Sequence, residues 1–130
     1  MLILTIRTDK PESEIGLYDD TLQVSYETWT AHRQLAETLH TKIATLLARQ
    51  SKDWPDIAGV VVYQGPGSFT GLRIGLSVAN AITNSFDIQI VAAQGKAWIN
   101  DGIVDLLSGK GQSIALPEYG APVHITTPKK

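Results

Sequence analysis

Gly65-Pro66-Gly67-Ser68-Phe69-Thr70-Gly71-Leu72-Arg73-Ile74-Gly75 is the stretch that decides the fold. It follows an apolar, β-branched run from Ile57 to Tyr63 and opens an apolar helical pattern that continues to about Thr83. Glycines 65, 67 and 71, together with Pro66, mark a tight turn at a strand-to-helix junction. Such a turn leaves backbone N–H groups exposed at the start of a helix, a common seat for anions and phosphates. On that reading Gly65, Gly67 and Ser68 are the candidates for contact with a cofactor. The other reading is a turn into a close-packed helix with no ligand. Gly71, Gly75 and Ala79 recur every fourth residue, so one ridge of the helix is nearly bare and a second backbone can lie close against it.

The turn is not a Walker A loop, because no Lys-Ser or Lys-Thr follows its glycines to reach a terminal phosphate. It is also a poor dinucleotide fingerprint. The spacing is G-x-G-x-x-x-G, and the next strand ends near Ala92-Ala93-Gln94 with no carboxylate to hold a ribose.

Upstream, Leu2 to Thr8 reads as a buried strand, Glu14 to Tyr18 as a short one, and Leu22 to Thr28 as a half-buried one alternating Leu22, Val24 and Tyr26 with polar residues. Their short links predict an antiparallel meander. Thr30 is placed to cap a helix from Ala31 to about Arg49, whose Leu35, Leu39, Ile43, Leu46 and Leu47 share one face. Ile57 to Tyr63 predicts a central strand covered on both sides. The helix after the glycine turn has a wider apolar surface: Leu72, Leu76 and Ala79 on one side, Ile74, Val78, Ala81 and Ile82 extending it. It must bury two sides, one on its own sheet and the other on the first helix or on a partner chain. Ile88 to Ala93 is a further strand and Lys96 to Leu107 a further helix, with Gly109 after its end. The order β-β-β-α-β-α-β-α predicts an α/β domain over residues 1–108 with a mixed sheet. Residues 109–130, punctuated by Gly and Pro, predict an irregular or disordered tail.

Composition bounds the function. With 130 residues the chain is long enough for one domain with a real core. The net charge of −2 argues against a protein that grips nucleic acid by itself. There is no cysteine, hence no disulfide, thiolate nucleophile or thiolate zinc site. No apolar run approaches the roughly 20 residues of a membrane span, and the expected location is the cytoplasm. His32 and His40 lie eight apart on the first helix, roughly 80° apart around it, and Ala36 stands where an H-x-x-x-H metal pair needs its second histidine. Asp19-Asp20 and Asp53/Asp56 read as turn and loop residues. Ser68 and Thr70 have no histidine near them in sequence to act as base, so no catalytic residue is assigned and Ser68 reads as an N-cap.

With Ile57-Ala58-Gly59-Val60-Val61-Val62-Tyr63-Gln64 leading into GPGSFTGLRIG, the chain from Met1 to about Leu107 resembles the TsaB (YeaZ) family, a non-catalytic subunit of the machinery that makes N6-threonylcarbamoyladenosine at position 37 of certain tRNAs. The resemblance implies the first half of an actin-like fold, of the sugar-kinase/Hsp70 and RNase H-like kind. It also implies a scaffold that pairs with a TsaD-like transferase, and through it with a TsaE-like ATPase, or with a second copy of itself, with tRNA reached only indirectly and no membrane involved. No cofactor is implied for this subunit. Carried onto this chain, the partner surface would involve the first two helices, with His32, Leu35, Leu39, Gly71, Arg73, Ile74, Gly75 and Val78. The chain departs from the family in two ways. The first strand of most members carries an aspartate, which in active members of the wider fold sits near metal-bound phosphates; here that stretch is Arg7-Thr8-Asp9, with the charge reversed. Typical members also continue for roughly another hundred residues, beyond the usual one-domain length, into a second domain, which on this reading the chain is expected to lack.

Overall fold

A computed structural model describes residues 1–30, 35–67, 69–113 and 115 of the chain. Its elements are β1 (Leu2–Arg7), β2 (Glu12–Asp19), β3 (Leu22–Thr30), α1 (Leu35–Arg49), a 3-10 turn (Trp54–Asp56), β4 (Gly59–Tyr63), α2 (Phe69–Phe86), β5 (Gln89–Ala93) and α3 (Trp98–Leu107). The strands form one sheet in the order β3-β2-β1-β4-β5. The short links between β1, β2 and β3 make the antiparallel meander, and Asp20 turns its corner at φ 54°. β4 runs parallel to β1, and β5 parallel to β4, because α1 and α2 supply the crossovers that parallel neighbours require. β3 runs two residues past its predicted end, since pairing with β2 continues to Glu12↔Thr30.

The pleat sorts the core. In register, Leu4 lies beside Val60 and Ile6 beside Val62, and this side of the sheet, together with Ile15 and Leu17 of β2, carries α1 and α2. The alternate residues face α3: a Cβ on Gly102 would sit 2.3 Å from Val61 Cγ1, so α3 lies hard on β4. Ile3, Leu4, Ile6, Val60 and Ile90 are wholly buried. The predicted stripe of α1, Leu35 through Leu47, is also its buried face.

Beyond α3, Gly109 (φ 78°) turns the chain, and Gln112 pairs with Ile90 in both directions, N to O, at 2.8 and 2.7 Å. Asn80 on α2 holds Ala115 by two hydrogen bonds, donating to its carbonyl at 2.9 Å and accepting from its N–H at 2.8 Å. The start of the predicted tail is thus held at Gln112 by the edge of β5 and at Ala115 by α2; residue 114 and residues 116–130 lie outside the described residues, as do Ala31 and His32 at the start of the first predicted helix. No helix among the described residues is long and apolar enough to cross a membrane.

Candidate functional site

The glycine turn is built against the end of β1. Gly65 adopts φ 118°, the Gly65–Pro66 peptide is cis, and the Tyr63 hydroxyl donates to the Pro66 carbonyl at 3.2 Å. A Cβ on Gly67 would meet Asp9 Cβ at 2.5 Å, one on Gly71 the Thr8 carbonyl oxygen at 2.0 Å, and one on Gly75 Thr8 Oγ1 at 2.1 Å. Only glycine permits this approach. Thr8 Oγ1 then donates to the Gly71 carbonyl at 2.7 Å and fastens the strand end to the helix. The bare ridge is thus covered within the chain. Gly75 is buried there and Gly71 half-buried, and both glycines expected at a partner surface pack on Thr8 in this chain. Leu35 and Leu39 are likewise buried in the chain's own core.

Beside the turn, Arg7 at the end of β1 and Asp9 in the bend just beyond it meet. Arg7 Nε donates to Asp9 Oδ1 at 2.7 Å and Nη2 to Oδ2 at 3.2 Å, with the two side chains 18% and 6% exposed. The guanidinium lies 3.8 Å above the Tyr63 ring, and Tyr63 meets Trp98 edge-on at 5.8 Å. Burial opposes the charge on Arg7, but the hydrogen bond and charge of Asp9 outweigh it and raise its pKa. This donor set does not fit a metal-bound phosphate. Its one carboxylate is already forked onto a guanidinium, and among the described residues no three His, Cys, Asp or Glu side chains converge on a point.

The second feature is a groove between α1 and α2. One stretch, about 290 Å³, is lined by Ala36, Thr70, Arg73, Ile74, Ser77 and Val78. The next, about 360 Å³, shares Ala36 and Val78 and continues to His40, Trp54, Ala81 and Phe86. His40 stacks on Trp54 with ring centroids 4.9 Å apart. Trp54 is held in place by a reciprocal cap: Asp53 accepts from Trp54 N–H at 2.8 Å, while Asp56 accepts from Asp53 N–H at 2.8 Å. Helix α2 is therefore two-sided. Leu72, Leu76 and Ala79 are buried under it, and half-buried Ile74 and Val78 with exposed Ala81 face the groove.

Of the residues expected at a partner surface, Arg73, Ile74 and Val78 line this groove; His32, like the candidate turn residue Ser68, lies outside the described residues. The sequence reading did not single out Ala36, His40, Trp54 or Phe86 for the groove. Trp54 reaches it from a separate 3-10 turn, which no helical period could reveal. Asp9 carried one sequence signal: an acid two residues from Arg7 is within reach of its guanidinium.

The fold and site define a class: a mixed-sheet α/β domain of the actin-like, RNase H-like type, whose glycine turn joins the fourth strand to the second helix. A family model described as "TsaD: tRNA N6-adenosine threonylcarbamoyltransferase" matches residues 29–95. The chain belongs to this family, on its TsaB (YeaZ) side. It is similar to the tRNA threonylcarbamoyladenosine biosynthesis protein TsaB of Escherichia coli (strain K12), 28% identical over 120 residues, covering 83% of this chain and 49% of the relative. The protein of that name from Bacillus subtilis (strain 168) is 33% identical over 93 residues, covering 71% and 40%. Among solved structures, YeaZ from Pseudomonas aeruginosa superposes with a TM-score of 0.67 at 20% identity, over 74% of this chain and 45% of that one. The chain thus spans about half the length of the curated relatives it matches.

Proposed function

We propose that this chain acts in threonylcarbamoyladenosine biosynthesis as a non-catalytic scaffold subunit. It would bind a TsaD-like transferase that modifies tRNA at position 37, work in the cytoplasm, and reach tRNA and a TsaE-like ATPase only through that partner. The observation that carries the reading is the groove between α1 and α2. Val78 and Trp54 rest partly against the core, but the lining they form with Ile74, Ala81 and Phe86 stays open on its outer side, while the opposite side of α2 closes the core. A concave apolar strip rimmed by Arg73, Ser77 and His40 has the anatomy of a protein interface. Family membership supports the choice of partner.

The test is co-purification of this chain with the TsaD-like subunit of the same genome, as wild type and as Ala81→Arg. Ala81 is exposed and lines the groove, so an arginine there disturbs no internal packing but fills the concave surface. Capture of the partner by wild type and its loss in the folded variant support the reading. Equal capture by both refutes the groove as interface. A wild-type chain that forms only a dimer with itself, broken by the same variant, replaces the transferase with a second copy.

A further inference from the structure

We infer that the glycine turn of this chain is occupied from within. The Asp9 carboxylate, gripped by Arg7 and seated against Gly67, fills the space beside the turn that an added anion would need, and closes the turn to phosphates. Arg7 at the end of the first strand is the cation next to the turn; Asp9, just beyond the strand and 6% exposed, saturates it with both oxygens. The approach leaves no room between carboxylate and turn, since even one added carbon on Gly67 would meet Asp9 Oδ2 at 2.8 Å. Tyr63 closes the assembly from beneath by lying under the guanidinium, and its hydroxyl ties back to Pro66 within the turn. Two charges cancel at short range, and the turn fastens β1 to α2.

Removing the negative partner alone reopens the site. Asp9→Asn keeps the shape, leaves Arg7 unpaired beside the turn, and creates a place for an added anion. The experiment is thermal denaturation of wild type, Asp9→Asn and Arg7→Met/Asp9→Asn, each with and without millimolar Mg-ATP or inorganic pyrophosphate. The wild-type Tm stays unmoved by either. The Asp9→Asn Tm starts several degrees lower and rises with pyrophosphate; the double variant starts low and does not respond. A wild-type Tm raised by Mg-ATP, or an Asp9→Asn protein indifferent to pyrophosphate, overturns the inference. A second measurement needs no variant. In the 15N NMR spectrum of wild type, the Arg7 Nε–H is a distinct, slowly exchanging resonance that Mg-ATP leaves in place. Rapid exchange of that proton, or its displacement by Mg-ATP, contradicts an internally filled site.

Discussion

Adding a methyl group to Gly71 and to Gly75 separates two contacts that look alike in sequence. At Gly71 the new carbon would lie 2.0 Å from the Thr8 carbonyl oxygen, a backbone atom that cannot turn aside. Overpacking of this kind costs about 3 kcal/mol at its upper end. Replacing glycine by alanine inside a helix returns about 1 kcal/mol, which leaves a net loss of about 2 kcal/mol. At Gly75 the obstacle is Thr8 Oγ1, at 2.1 Å. That hydroxyl can rotate away by giving up its 2.7 Å bond to the Gly71 carbonyl. The bond is worth about 1 kcal/mol and residual crowding of the Thr8 side chain about 1 kcal/mol more. After the helix gain of about 1 kcal/mol, Gly75→Ala loses about 1 kcal/mol. The decisive step is a Thr8→Ala background, which removes the hydroxyl and leaves the carbonyl. There Gly75→Ala becomes neutral or stabilising by up to about 1 kcal/mol, whereas Gly71→Ala still loses about 2 kcal/mol. Urea unfolding of the six proteins gives the two coupling energies directly. Rescue of Gly71→Ala by Thr8→Ala, or no rescue of Gly75→Ala, would refute the placement of α2 on the end of β1.

Other expectations rest on separate contacts. Ala81→Arg leaves urea stability within about 0.5 kcal/mol of wild type, as exposed substitutions away from special features do, so that loss of partner capture cannot be ascribed to unfolding. Glu27 accepts from Lys42 at 2.6 Å and from Arg49 at 3.0 Å, and the Lys42 hydrogen bond, aided by both charges, holds its carboxyl below the usual pKa. A depressed carboxylate stabilises above its unfolded pKa, and that contribution is lost as pH falls through the folded value. Glu27→Gln therefore costs about 1 kcal/mol at neutral pH, the cations being partly exposed, and urea midpoints of variant and wild type converge in acid. Asn80→Ala removes both hydrogen bonds to Ala115. Amide exchange at Ala115 and Gln112 speeds up in that variant while the centre of β4 stays protected.

The order of strands and helices was legible because each element carries its own period and the short links allowed only one pairing for the first three strands. The stripe of α1 and the two-sidedness of α2 were legible for the same reason. What the glycine ridge packs against was not. A run of small residues at every fourth position states that something approaches closely, and gives no sign whether it is a partner or the chain itself. Here it is Thr8, some sixty positions upstream in the bond Thr8 makes to Gly71. The groove was half legible: Ile74 and Val78 follow from the surplus apolar side of α2, but Trp54 and His40 meet through a tertiary stack between a 3-10 turn and α1. Gln112 likewise joins the edge of β5 as a lone bridge, too short to leave a strand pattern.

The central claim is that the face between α1 and α2 docks a TsaD-like subunit. Size-exclusion chromatography with light scattering, on an equimolar mixture of this chain and that subunit, tests it most directly. The account predicts one peak whose mass is the sum of both chains for wild type, and two separate peaks for Ala81→Arg. Separate peaks for wild type, or an undiminished complex with Ala81→Arg, would contradict it.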